Sequence, residues 1–94
     1  MSFRRRRGGK PDANQQPIID ALRKIGASIT IISSVGFGAP DLLVGWHGYN
    51  FLLEIKATGK ALTPQERKWV SDWRGQVAIV DSVADALLFV RAIG

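Results

Sequence analysis

Cysteine is absent from the chain, and histidine occurs once, at His47. The first absence excludes a disulfide framework and any thiolate-held metal. The second excludes a histidine-rich zinc centre, which needs several imidazoles within reach of one ion. A metal bound here has to be held by oxygen ligands, the preference of magnesium and manganese. Long apolar runs are missing as well. No stretch approaches the roughly 20 residues of a membrane-spanning helix. The opening Met1-Ser2-Phe3-Arg4-Arg5-Arg6-Arg7 has no apolar segment behind it of the kind a secretory signal carries. These absences lead to the expectation of an intracellular, cytoplasmic protein with no membrane partner.

What remains is a chain of 94 residues, the size of one small domain. Its formal net charge of +5 is unevenly placed. Residues 1–10 hold Arg4, Arg5, Arg6, Arg7 and Lys10 and no acid, whereas the eight basic and eight acidic side chains that follow cancel. Residues 1–11 therefore read as a basic arm, broken by Gly8 and Gly9, ahead of a neutral body over 12–94. Such an arm suits a polyanion such as nucleic acid; the plainer reading is a solvated tail.

Along the body, Asp12 or Asn14 can cap a helix running to about Lys24. Ile18, Ile19, Leu22 and Ile25 follow helical spacing, and Gly26 ends the helix. Residues 27–33 are rich in β-branched side chains and predict a strand, followed by a glycine-punctuated loop over 34–39. A second strand is predicted over 41–46, a turn over 47–50 and a third strand over 51–57. Thr63, Pro64 and Glu66 form the signature of a helix start with a capping box, and that helix should reach Arg74, with Gly75 ending it. A fourth strand over 76–80 and a last helix from Asp81 or Ser82 to Ala92 complete the order α-β-β-β-α-β-α. This predicts an α/β fold, with an antiparallel meander and one parallel crossover in a mixed sheet flanked by helices.

One strand carries charge where a central strand should not. In Leu53-Glu54-Ile55-Lys56, Glu54 and Lys56 share one face. A two-residue turn at His47-Gly48 would place Asp41 opposite Glu54, and a four-residue turn would place it opposite Lys56. Either even-length turn gathers the three groups, whereas an odd-length turn sends Asp41 to the other face. Two carboxylates held together repel unless a cation lies between them. A divalent ion there can activate water and polarise a phosphoryl oxygen, with Lys56 to orient or deprotonate that water and stabilise developing charge. The competing reading is an ordinary Glu–Lys surface pair, worth at most about 1 kcal/mol.

The runs Gly38-Ala39-Pro40-Asp41-Leu42-Leu43-Val44-Gly45, Leu53-Glu54-Ile55-Lys56 and Leu62-Thr63-Pro64-Gln65-Glu66-Arg67-Lys68-Trp69 resemble the VRR-Nuc family. This is a branch of the PD-(D/E)xK nucleases found in stand-alone phage and bacterial proteins and in the Fanconi-associated nuclease. The likeness spans residues 12 to about 90. It implies a restriction-endonuclease-like fold and a magnesium- or manganese-dependent endonuclease acting on DNA, with branched substrates such as four-way junctions. A phage-encoded member would act in the host cytoplasm. It further implies that Asp41, Glu54 and the Ile55 carbonyl bind the metal, that Lys56 is the catalytic lysine, and that Gln65 is the helix glutamine beside the site. Gln15 stands where many members carry an acid on the first helix. That departure puts a second metal in question and leaves Gln15 as a neutral oxygen ligand, with Asp12 a weaker stand-in. The arm residues Arg4–Arg7 and Lys10, with Lys60 and Arg67 flanking the site, are candidates for DNA contacts.

Three further readings complete the expectations. His47 reads as an exposed turn residue ahead of a catalytic group, Trp69 and Trp73 as core ahead of a base-stacking platform, and Gly36 and Gly38 as serving the turn before Asp41 ahead of admitting a phosphate backbone. Phe37, Trp46, Phe51, Trp69 and Trp73 together exceed what one thin core covers, and the stand-alone members are dimers, so a homodimer is expected. The alternative to an enzyme is an inert nucleic-acid-binding module of the same fold.

Overall fold

The computed structural model describes residues 15–94. The basic arm and the Asp12 or Asn14 cap lie outside the described residues. The first helix, α1 (Gln15–Lys24), buries Ile18, Ile19 and Leu22 along one stripe. It stops at Gly26, whose φ of 101° only glycine adopts freely and whose N–H donates to the Arg23 carbonyl at 2.9 Å. Four strands follow the expected order: β1 (Ser28–Ile31), β2 (Leu42–Trp46), β3 (Tyr49–Ile55) and β4 (Val77–Val80), with α2 (Pro64–Asp72) between β3 and β4 and α3 (Val83–Ile93) last. The sheet order is β1-β2-β3-β4. Its first two pairings are antiparallel and the third is parallel. The α/β class, with its mixed sheet and flanking helices, is therefore the observed one. Among the described residues, no helix is long and apolar enough to cross a membrane.

The turn joining β2 to β3 is the two-residue one. Trp46 pairs with Tyr49, and His47 (φ 50°) and Gly48 (φ 83°) both take the left-handed conformation of a type I′ hairpin turn. His47 is exposed, as expected; its ring stacks on Trp46 at 3.8 Å and its Nδ1 lies 3.1 Å from the Gly94 carbonyl oxygen.

Alternation along the strands divides the sheet into two unlike faces. Leu42, Val44, Phe51, Leu53, Ile55 and Val80 point to one side and form a core with α1 and with Ala86 and Val90 of α3. Phe51 sits edge-on to Phe89 at 5.4 Å, so this aromatic is used by the chain's own core. Trp46 is half-buried against the same core. The opposite side carries Leu43, Leu52 and Val77 in one row and Glu54 beside Ile79 in the next. Leu43 and Ile79 remain 40 % and 45 % exposed, so this face is only partly covered.

Four expectations shift. The third strand, read over 51–57, runs from Tyr49 to Ile55, because the two-residue turn returns Tyr49 and Asn50 to the ladder with β2. The strand read over 27–33 ends at Ile31, because Ser33–Val35 wind into a 3₁₀ turn closed by the Val35 N–H on the Ile32 carbonyl. The helix α2 ends at Asp72 rather than Arg74: Trp73 leaves in an extended conformation, and Gly75 is not used as its terminator. The tryptophans are not core residues. They stack on each other at 4.7 Å, α2 buries none of its residues, and Trp73 is 45 % exposed. The physical reason is that α1 and α3 already cover the apolar face of the sheet, leaving α2 the face that carries charge.

Candidate active site

The candidate site forms where β2 and β3 part. The Leu42↔Leu53 register continues only to Leu42. One residue earlier the chain bends, and the Asp41 N–H also reaches the Leu53 carbonyl, at 3.0 Å. Two successive residues thus face one partner, as in a β-bulge. The bend turns the Asp41 carboxylate to the edge of β3, where its Oδ2 accepts the Ile55 N–H at 2.8 Å. A side chain here replaces the backbone acceptor that a continuing strand would supply. The Ile55 carbonyl lies on the same edge of β3 as the Ile55 N–H. It faces the β2 side, where Pro40 has no N–H to give and the Ala39 N–H is turned to the Gly36 carbonyl at 3.1 Å.

Glu54 points to the charged face and is only 3 % exposed, the one buried charged side chain among the described residues. Burial comes first among the causes that push its pKa up, to about 9; the Asp41 charge and then Glu66 push in the same direction, against the lowering pull of Lys56. At neutral pH this glutamate holds a proton unless a cation replaces it.

Lys56, the next residue on the same face, extends from the end of β3, where its N–H donates to the Val80 carbonyl at 3.0 Å. Its ammonium lies 2.8 Å from Glu66 Oε1. Burial alone would lower the Lys56 pKa, but the Glu66 carboxylate outweighs it and the net shift is upward. Glu66 shows the mirror effect. Burial raises its pKa, and the hydrogen bonds from Lys56 and from Thr63 more than reverse that.

Glu66 is the site residue that sequence reasoning missed. Its capping box was legible: the Thr63 Oγ accepts from the Glu66 N–H at 3.1 Å, and Glu66 Oε1 accepts from the Thr63 N–H at 2.8 Å. That the same oxygen also holds Lys56 depends on where α2 lies, which no local pattern states. Gln65, read as the helix glutamine beside the site, has an exposed side chain, and its neighbour Glu66 is the one that meets Lys56. Lys60 and Arg67 are exposed. Gln15 is half-buried at the start of α1.

The loop before Asp41 is clamped to α2 through Gly38. A Cβ at this glycine would stand 2.5 Å from the Gln65 carbonyl oxygen, with φ already at 84°. Both the space and the conformation demand glycine. We expect Gly38→Ala to force the loop off α2, lowering the thermal midpoint by about 5 °C or more and reducing any activity of the site. An unchanged melting curve would show that the loop relaxes without strain.

The donor set is all oxygen: two carboxylates, one backbone carbonyl without a ladder partner from β2, and Glu66 a step away. That chemistry fits a hard divalent cation completed by water. Three close carboxylates, as a metal-holding group of His, Cys, Asp or Glu, do not occur among the described residues. No protein-family model and no curated protein matches the chain.

Proposed function

We propose that this chain is a magnesium- or manganese-dependent endonuclease of the PD-(D/E)xK type, similar to VRR-Nuc proteins, which hydrolyses phosphodiester bonds in DNA. One observation carries the reading: a buried glutamate, Glu54, is set against Asp41 at a strand break, with Lys56 on the same face. A purely structural glutamate would not be buried next to a second carboxylate, since that arrangement costs stability.

Asp41, Glu54 and the Ile55 carbonyl would hold the metal, with Gln15 as a neutral oxygen ligand. When bound, the ion supplies an activated water and polarises the phosphoryl oxygen. The chain's own contribution lies in position and charge. Lys56 is kept protonated by Glu66, so it stabilises charge on the phosphoryl group and orients the attacking water by donation, rather than removing its proton. Gln65, Lys60 and Arg67 stand on the exposed side, where substrate arrives. The basic arm, with Arg4, Arg5, Arg6, Arg7 and Lys10, adds phosphate contacts. Branched DNA such as a four-way junction is the proposed substrate, and a homodimer would supply the two sites that paired cutting needs.

The test is cleavage of a labelled four-way junction with magnesium, manganese, calcium or chelator. We expect cutting with the first two only, and loss to background in Asp41→Ala and Glu54→Ala with DNA binding kept. Wild-type cutting by either variant would refute the site. Metal-independent binding without cutting by the wild type would favour the inert module.

A further inference from the structure

Phe37 is 82 % exposed, the most exposed large hydrophobic side chain among the described residues. It is also one of two non-glycine residues there with positive φ, at 57°. A bulky aromatic residue is rarely found in that conformation. Gly36 and Gly38, at 77° and 84°, flank it. Such a residue gains no burial in return for its strain, and strain of this kind gathers at functional positions.

The loop is nevertheless held. The Ala39 N–H closes it on the Gly36 carbonyl at 3.1 Å, and Gly38 lies so close to the first turn of α2 that a Cβ would collide with the Gln65 carbonyl. Phe37 thus stands one residue from the clamp on α2 and four residues before Asp41. A ring carried on a held loop and exposed to solvent beside a site is suited to stacking on a flat apolar surface. Beside the proposed phosphodiester site, on a chain whose excess positive charge lies in its basic arm, the surface of that kind is a nucleobase.

We propose that Phe37 is a base-stacking wedge, its ring lying against an unstacked base of the DNA held at the candidate site. The proposal rests on the nuclease reading for its substrate class. It fits the proposed branched substrate: at a branch point the bases are already partly unstacked, so the cost of exposing one is least.

The test uses a four-way junction carrying 2-aminopurine at the branch point, bound in calcium. Wild type should alter the 2-aminopurine fluorescence on binding. Phe37→Gly, which relieves the backbone conformation, should fold with an unchanged or higher thermal midpoint. It should lose the fluorescence change and bind the junction about 5- to 100-fold more weakly. Phe37→Trp should restore both. A Phe37→Gly protein that binds and alters fluorescence like wild type would overturn the proposal. So would a change from dimer to monomer on light scattering with the base signal intact, which would make the ring a contact between copies. Cutting with magnesium is scored separately on the wild type. A Phe37-dependent base signal from protein that does not cut supports the wedge and removes only the nuclease reading.

Discussion

Glu54→Gln should do two opposite things: abolish metal-dependent cleavage and make the metal-free protein more stable above neutral pH. The stability effect follows from the raised pKa. Below about pH 4.5 the folded and unfolded chains both hold the Glu54 proton. Between about 4.5 and about 9 the folded chain keeps a proton that the unfolded chain gives up. The unfolded state then binds fewer protons, so stability falls as pH rises through this window and levels off above it. Each unit of separation is worth about 1.4 kcal/mol. By pH 8 the contribution of Glu54 to stability has therefore fallen by several kcal/mol relative to acid, and the neutral amide of Glu54→Gln escapes that loss. We expect its metal-free thermal midpoint at pH 8 to exceed that of wild type by about 5 °C or more, and the difference to shrink towards pH 5.

Metal should reverse the order. Binding to the folded state alone stabilises by about 2.7 kcal/mol at one hundred times the dissociation constant. Wild type should gain this with magnesium or manganese, and should gain more at pH 8 than at pH 6, since the metal must displace the Glu54 proton. Glu54→Gln should gain little at either pH and should leave a junction uncut. Thermal melts at both pH values, with metal and with chelator, measure all of this. A Gln variant no more stable than wild type at pH 8 would show that Glu54 is not strained by its burial. A variant that still cuts would remove Glu54 from the metal site.

The elements were legible where chemistry is local. Thr63-Pro64 and Glu66 announce a capped helix, Gly26 ends α1 by its left-handed backbone, and the stripe of Ile18, Ile19 and Leu22 selects the buried face. The pairing of β2 with β3 was legible only as an alternative, because His47-Gly48 suits a two-residue turn while Tyr49-Asn50 extends it plausibly to four. The structure resolves this through the left-handed conformation of His47, which histidine tolerates better than most residues. What sequence could not show were the consequences of placement. The bend at Asp41 depends on Pro40 and on the Ala39 N–H turning to Gly36. Trp69 and Trp73 have the spacing of core residues, yet α2 covers the charged face, so the tryptophans stack on each other instead. Gln65 and Glu66 differ by one position on α2, and only the lie of that helix decides which meets Lys56.

That last point gives the second large effect, at Glu66. Its carboxylate performs two tasks with one oxygen, capping α2 and holding Lys56. Glu66→Gln separates them. Glutamine satisfies a capping box as glutamate does, so α2 should keep its start and the thermal midpoint should move little. The charge is lost, however. Lys56 then has no carboxylate at 2.8 Å to fix its ammonium, and the Glu66 contribution that raises its pKa disappears. The junction cleavage rate should fall, on the order of 100-fold if the ammonium shifts by about an ångström. The alkaline limb of the pH–rate profile should move to lower pH, because a lysine without its anionic partner gives up its proton more easily. Glu66→Ala should show the same catalytic loss together with a loss of about 1 kcal/mol in stability from the cap. A structural role alone would lower stability and rate together in both variants and leave the pH profile in place. An unshifted alkaline limb in Glu66→Gln, with wild-type cleavage, would show that Lys56 acts without Glu66 and that their ion pair serves only to fasten α2 to the sheet.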